Sequence, residues 1–239
     1  MNELSIILAG FSAVSCVILF FVYLFYLPDM QKTVAGKFAC GGLLLTLAVV
    51  QITHVVAFTQ AIDLLSSKLY SVLLAAIPVM LFFFSRELLF HGGKPAVQDL
   101  VHILPLVVVL LLPVSIAPIA AFLFGCGYAF YILRKVLVLR SHLPRFRFEK
   151  FFFALFFAMT LVTLALGLSL SVIDHSFFYH GYAACVSIAM VLVVTALLAF
   201  PELLSDVLLA SESAYAKTRL ADVDIAGSAQ IFRWCMFQR

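Results

Sequence analysis

The side chains able to do chemistry in this sequence are few, and they gather in three short stretches. Gln51, Thr53 and His54 fall within one helical turn of each other, and Asp63 follows shortly after. Residues 174–181 read DHSFFYHG and supply Asp174, His175, Tyr179 and His180. Carboxylates, imidazoles and an amide in this mixture suit hydrogen bonding to a small polar ligand. The imidazoles could also respond to pH, since histidine changes charge between about pH 5 and 8. Gln51, His54, Asp63, Asp174, His175 and His180 are therefore the candidate ligand-binding residues. The plainer reading of each stays open: a histidine inside an apolar helix commonly bonds a neighbouring helix, and a loop histidine faces water. No catalytic residue is expected, because no nucleophile or carboxylate pair accompanies the histidines. Neither a cofactor nor a metal ion is expected. The five cysteines form no Cys-x-x-Cys, and four lie inside apolar runs, where they read as small buried hydrophobes.

The elements that must position these residues follow from composition. Of 239 residues, 65% are hydrophobic and 11% charged, against about 45–50% and about 25% in soluble domains. Lipid, rather than a soluble core, can cover that much apolar surface. Charge-free runs at residues 4–28, 38–62, 69–85, 151–173 and 175–201 are each about long enough to cross the roughly 30 Å hydrocarbon layer. The run 100–133 is long for one crossing and short for two. Pro113 and Pro118 bracket a turn that would divide it into a short helix near 98–112 and a longer one near 115–139.

Charge decides between six crossings and seven, because Lys and Arg collect in cytoplasmic loops. With seven, Lys32, Lys37, Arg86, Lys94, Arg134, Lys135, Arg140, Arg145, Arg147 and Lys150 share one side, and the opposite loops hold only Lys68. With six, the largest basic group changes sides and the asymmetry collapses. The fold expected is an all-α, polytopic membrane protein with seven transmembrane helices, the N-terminus outside and the C-terminus cytoplasmic. Tyr23, Tyr26, Tyr70, Tyr128, Tyr131, Tyr179 and Tyr182 lie toward span ends, and some of them are expected at headgroup depth. Ala165, Gly167, Ser169 and Ser171 on the sixth helix would let a neighbour approach closely. The basic run 134–150 suits anionic lipid headgroups.

The chain then divides into a bundle, residues 1–200, and a cytoplasmic helical tail, residues 201–239. In the tail, Ile225, Ala229, Phe232 and Met236 recur at helical spacing, so the segment needs something to pack on, such as a second copy of the chain. Several enzyme classes are excluded by missing motifs: no His-Glu-x-x-His, no Gly-x-Ser-x-Gly and no phosphate-binding Gly-Lys-Ser/Thr loop. No carboxylate falls in mid-span, and the seventh helix has no lysine for a retinal Schiff base.

The sequence IPVMLFFFSRELLF followed by VHILP places Pro78, Arg86, Leu88, Leu89, His102 and Pro105 in a Pro…Arg-x-Leu-Leu…His-x-Leu-Pro pattern. This resembles the membrane-embedded half of AraC-type transcription regulators. The tail AYAKTRLADVDIAG is similar to that family's juncture between membrane bundle and DNA-binding part, with Tyr215, Thr218, Leu220, Val223 and Asp224 in matching places. The resemblance implies a sensory bundle in a bacterial inner membrane that relays a signal through this juncture, with Arg86 facing the output side. The family's helix-turn-helix pair does not follow the juncture here. An isolated sensor half, a fragment and a truncated product all fit, and no direct nucleic-acid binding is expected of this chain. The other reading is a small-molecule transporter or channel, disfavoured by the scarcity of mid-span polar groups and of any repeat of halves.

Overall fold

A computed structural model of the protein describes residues 2–26, 34–89, 97–139 and 147–199. Among these residues every regular element is helical and there is no strand. Seven α-helices follow in order: α1 Asn2–Tyr26, α2 Val34–Gln60, α3 Lys68–Leu89, α4 Leu104–Leu111, α5 Ala117–Leu139, α6 Arg147–Leu168 and α7 His175–Ala199. Five of them, α1, α2, α3, α5 and α7, are long and apolar enough to cross a membrane; α4 and α6 contain shorter apolar stretches. The backbone reason is general: in lipid a helix satisfies its own N–H and C=O groups within one segment. Hydroxyls inside the helices are served the same way, as Thr46 Oγ1 donates to the Gly42 carbonyl and Thr163 Oγ1 to that of Met159.

The division of the run 100–133 falls at the expected prolines. Helix α4 ends at Leu111, and α5 starts at Ala117 after a tight turn in which the Ile116 and Ala117 N–H groups both donate to the Pro113 carbonyl. Lys68, at the start of α3, donates from Nζ to the Leu112 carbonyl. The lone cation expected opposite the basic loops thus caps the C-terminal end of α4, where a positive charge is favoured. A 3-10 segment, Val97–Ile103, leads into α4.

Helices α1, α2, α3, α5, α6 and α7 pack each on the next, and α7 returns to α1; α4 lies outside this ring against α3 and α5. Two adjacent pairs are parallel. Ser5 and Leu8 of α1 meet His180 and Ser187 of α7, and Pro78 and Phe82 of α3 meet Gly125 and Tyr128 of α5. The N-terminal ends of α1, α3, α5 and α7 therefore lie at one end of the bundle, together with residues 61–67 and 172–174. The C-terminal ends of these four helices lie at the other.

Close approaches occur where side chains are small. A Cβ at Gly167 of α6 would lie 2.2 Å from the ring carbons of Phe122 on α5, and one at Gly181 of α7 would lie 2.9 Å from Leu166 Cδ1. Gly167 belongs to the small-residue series expected to admit a neighbour. The main core lies between α2, α3, α5, α6 and α7, around Val50, Tyr70, Ala75, Phe122, Phe178 and Tyr182. Cys16, Cys40 and Cys185 are buried free thiols and Cys126 is half-buried.

Candidate functional site

The chemistry-bearing residues lie at the end of the bundle where α1, α3, α5 and α7 begin, and they arise from four elements. Helix α2 ends at Gln60, and Ala61 adopts a left-handed conformation (φ 54°). Such a turn costs a non-glycine residue about 1 kcal/mol and redirects the chain. Asp63 then caps a 3-10 turn, Leu64–Ser66, its Oδ1 accepting from the Leu65 N–H at 3.3 Å. The turn brings Asp63 against the first turns of α7. Tyr179 donates its hydroxyl to Asp63 Oδ1 at 2.5 Å and accepts from the Leu65 N–H at 2.8 Å. His175 Nδ1 lies 3.4 Å from the same carboxylate oxygen, and both of these side chains are about half exposed.

Behind Tyr179 the site becomes fully buried. His54 of α2 has 0% exposure and sits among four rings, those of Phe58, Tyr70, Tyr179 and Tyr182, with centroids 5.2–6.2 Å away. Its Nε2 is 2.8 Å from the Tyr70 hydroxyl of α3, and its Nδ1 is 3.4 Å from Gln51 Oε1. With the Tyr70 hydroxyl donating to Nε2, the Nδ1 hydrogen points to Gln51, the neutral tautomer that these two contacts share. Helical spacing alone puts Gln51 and His54 on one face of α2; the α3 hydroxyl fixes the ring. A chain of polar groups thus runs from half-exposed Asp63 through Tyr179, and by ring contact with Tyr70 and His54, to buried Gln51.

The remaining candidates divide. His180 is stacked on Phe58 (centroids 4.7 Å, 2° between planes), and its Nδ1 is 2.8 Å from Ser5 Oγ of α1. Asp174 is exposed and contributes its carbonyl, which accepts from the Phe178 N–H as α7 begins. The structure brings Gln51 with His54, Asp63 with His175, and His180 with α1; it leaves the Asp174 side chain outside these contacts. The described residues contain no group of three or more His, Cys, Asp or Glu suited to a metal ion.

Of the tyrosines toward span ends, Tyr70, Tyr179 and Tyr182 are buried inside the protein. Their hydroxyls find partners, or their rings fill the core, across helices far apart in sequence. Tyr70 is sixteen residues from His54 and Tyr179 more than a hundred from Asp63, so no local pattern could have paired them.

At the opposite end, Arg86 of α3 pairs with Asp99 in the 3-10 segment before α4. His102 lies over Phe82 (centroids 3.9 Å) and its Nδ1 is 3.0 Å from the Tyr128 hydroxyl. Arg86 and His102, two of the residues that carry the family pattern, thereby fasten the α3–α4 connection to the bundle. The juncture residues Tyr215, Thr218, Leu220, Val223 and Asp224 lie outside the described residues. No known protein family matches this chain, and no curated protein or solved structure shows significant similarity to it.

Proposed function

We propose that the chain is the membrane-embedded sensory part of an AraC-type regulator, which receives a stimulus at the Asp63 end of the bundle and relays it to the tail, residues 201–239. One observation carries this reading: α7 bears Tyr179, His180 and Tyr182 of the polar site at its start and is the helix that the sequence continues into the tail. A shift in how Asp63 holds Tyr179 is therefore a shift of the helix joined to the output.

The reading includes seven crossings, with the Asp63 end outside and the tail in the cytoplasm of a bacterial inner membrane. Its support is the charge pattern, ten loop cations on the tail side against Lys68 opposite. The short fourth segment is compatible with crossing. Seven 3-10 residues at about 2.0 Å and eight α residues at about 1.5 Å reach about 26 Å, near the roughly 30 Å of a bilayer. Lipid is the principal partner, with a small ligand at the outer face and a second copy through the tail.

The single tryptophan, Trp234, lies in the tail and offers a native reporter. In nanodiscs, Tyr179→Phe and Asp63→Asn should each change Trp234 emission or its quenching by a water-soluble quencher while helix content stays constant. Emission identical to wild type in both variants would sink the relay.

A further inference from the structure

A polar layer crosses the interior between α1, α2 and α7, one turn below His54. Cys16, Ala48 and Met190 form an apolar cluster where these three helices meet. One helical turn from that cluster toward the Asp63 end, on the same helix faces, stand Ser12, Gln51 and Ser187, at spacings of four, three and three residues. All three have 0% exposure. Buried polar atoms at such a depth are nearly always hydrogen-bonded.

Here two of the three are left wanting. Ser187 is served by backbone, its hydroxyl lying 2.8 Å from the Leu8 carbonyl and 2.7 Å from that of Ala183. It has one hydrogen to give and retains acceptor capacity. Gln51 Nε2 and Ser12 Oγ have no hydrogen-bond partner of ordinary geometry; the Ser12 hydroxyl has only the weak acceptor sulfur of Cys16 beside it. Turning the Gln51 amide does not cure this. With Oε1 toward His54 the amide N–H groups are orphaned; with Nε2 toward His54 the carbonyl is. His54 cannot serve both ends, because its second nitrogen is engaged by Tyr70.

We propose that this layer is a binding site for a small uncharged molecule that carries both an acceptor oxygen and an N–H or O–H donor, in the class of simple amides. Gln51 supplies the complementary amide edge, and the Ser12 and Ser187 hydroxyls supply the flanking contacts. The ligand is neutral because the charged residues described on these three helices, Glu3 and Lys37, stand near helix ends, well away from this layer; an ion here would have no counter-charge. The inference rests on the sensing reading only in that the bound molecule would be the stimulus; binding itself is measured without it.

The test uses the full chain in nanodiscs, melted in the presence of a thiol-reactive fluorophore that labels the buried cysteines on unfolding. The probes are acetamide and its charged isostere, acetate. Acetamide should raise the melting temperature saturably and acetate should not. Gln51→Met should weaken the acetamide response by about tenfold or more, the loss expected for one or more buried hydrogen bonds. Ser12→Ala, a smaller change, should weaken the response while preserving the ligand-free melting temperature. A Gln51→Met protein that responds to acetamide as wild type does overturns the site, as does the absence of a saturable acetamide response. Acetamide binding that leaves Trp234 emission unchanged would instead count against the relay and leave the site standing.

Discussion

At the scale of residues, the pair His54 and Tyr70 decides how a polar group is tolerated in an apolar interior. An imidazole at 0% exposure is stabilised only by the groups it meets, and one of its two nitrogens is met by a hydroxyl from the next helix. Tyr70→Phe keeps the ring and deletes that partner, so it should destabilise the protein by about 1–3 kcal/mol, the cost of an unsatisfied buried group. His54→Leu combined with Tyr70→Phe should cost less than the two single changes added together, because the double variant leaves neither group orphaned. Thermal melts of the four proteins in one detergent measure the coupling; strictly additive effects would mean that the contact contributes nothing. The half-exposed His175–Asp63 contact belongs to a weaker class, in which a pair contributes about 0–1 kcal/mol. Tyr179, which binds both Asp63 and the Leu65 backbone, is the stronger fastening of α7 to the α2–α3 connection.

At the scale of elements, helix approach depends on where side chains are missing. Van der Waals packing has to hold helices together in lipid, since lipid tails are as apolar as the side chains. The α5–α6 contact rests on the Phe122 ring against Gly167, and the α6–α7 contact on Leu166 against Gly181. Gly167→Ala should part α5 from α6 and lower the melting temperature, with a cost of about 1–3 kcal/mol from overpacking. Gly127→Ala on α5, where an added Cβ meets nothing within 4 Å, is the matched control and should be neutral or slightly stabilising through better helix propensity. Equal behaviour of the two variants would remove the packing argument. The α3–α4 connection depends on polar fastening instead, through Arg86 with Asp99 and His102 with Tyr128.

For the whole molecule, the proposed orientation makes a clear statement about sides. A reporter fused after Ser66 should be active only outside the cytoplasmic membrane, and one fused after Ala221 only in the cytoplasm. The reverse result would overturn the orientation and with it the sensing reading. The transporter reading separates by flux: liposomes containing the protein should show no uptake of small metabolites above empty liposomes. Parallel neighbours α1 and α7 give the bundle its closure, and they place the first helix of the chain against the helix that leads to the tail. A stimulus that alters the contact of His180 with Ser5 would therefore act on both.

Composition and charge-free length were enough to determine where the helices run. The break after Pro113 and the approximate extents of α2, α3 and α7 read directly from the chain. The reason is that backbone groups in lipid must be satisfied inside each segment, so local sequence suffices. Which face of each helix turns inward could not be read in this way. Helices that are apolar all round carry no polar side to mark their exposed surface, and Tyr70, Tyr179 and Tyr182 look the same in sequence whether they meet headgroups or one another. Only the tertiary structure decided that these three close over His54, that Asp63 binds a hydroxyl on the last helix, and that Ser12, Gln51 and Ser187 are each fully buried. Those pairings join residues from sixteen to more than a hundred positions apart, and they are set by the order in which helices pack rather than by any spacing along the chain.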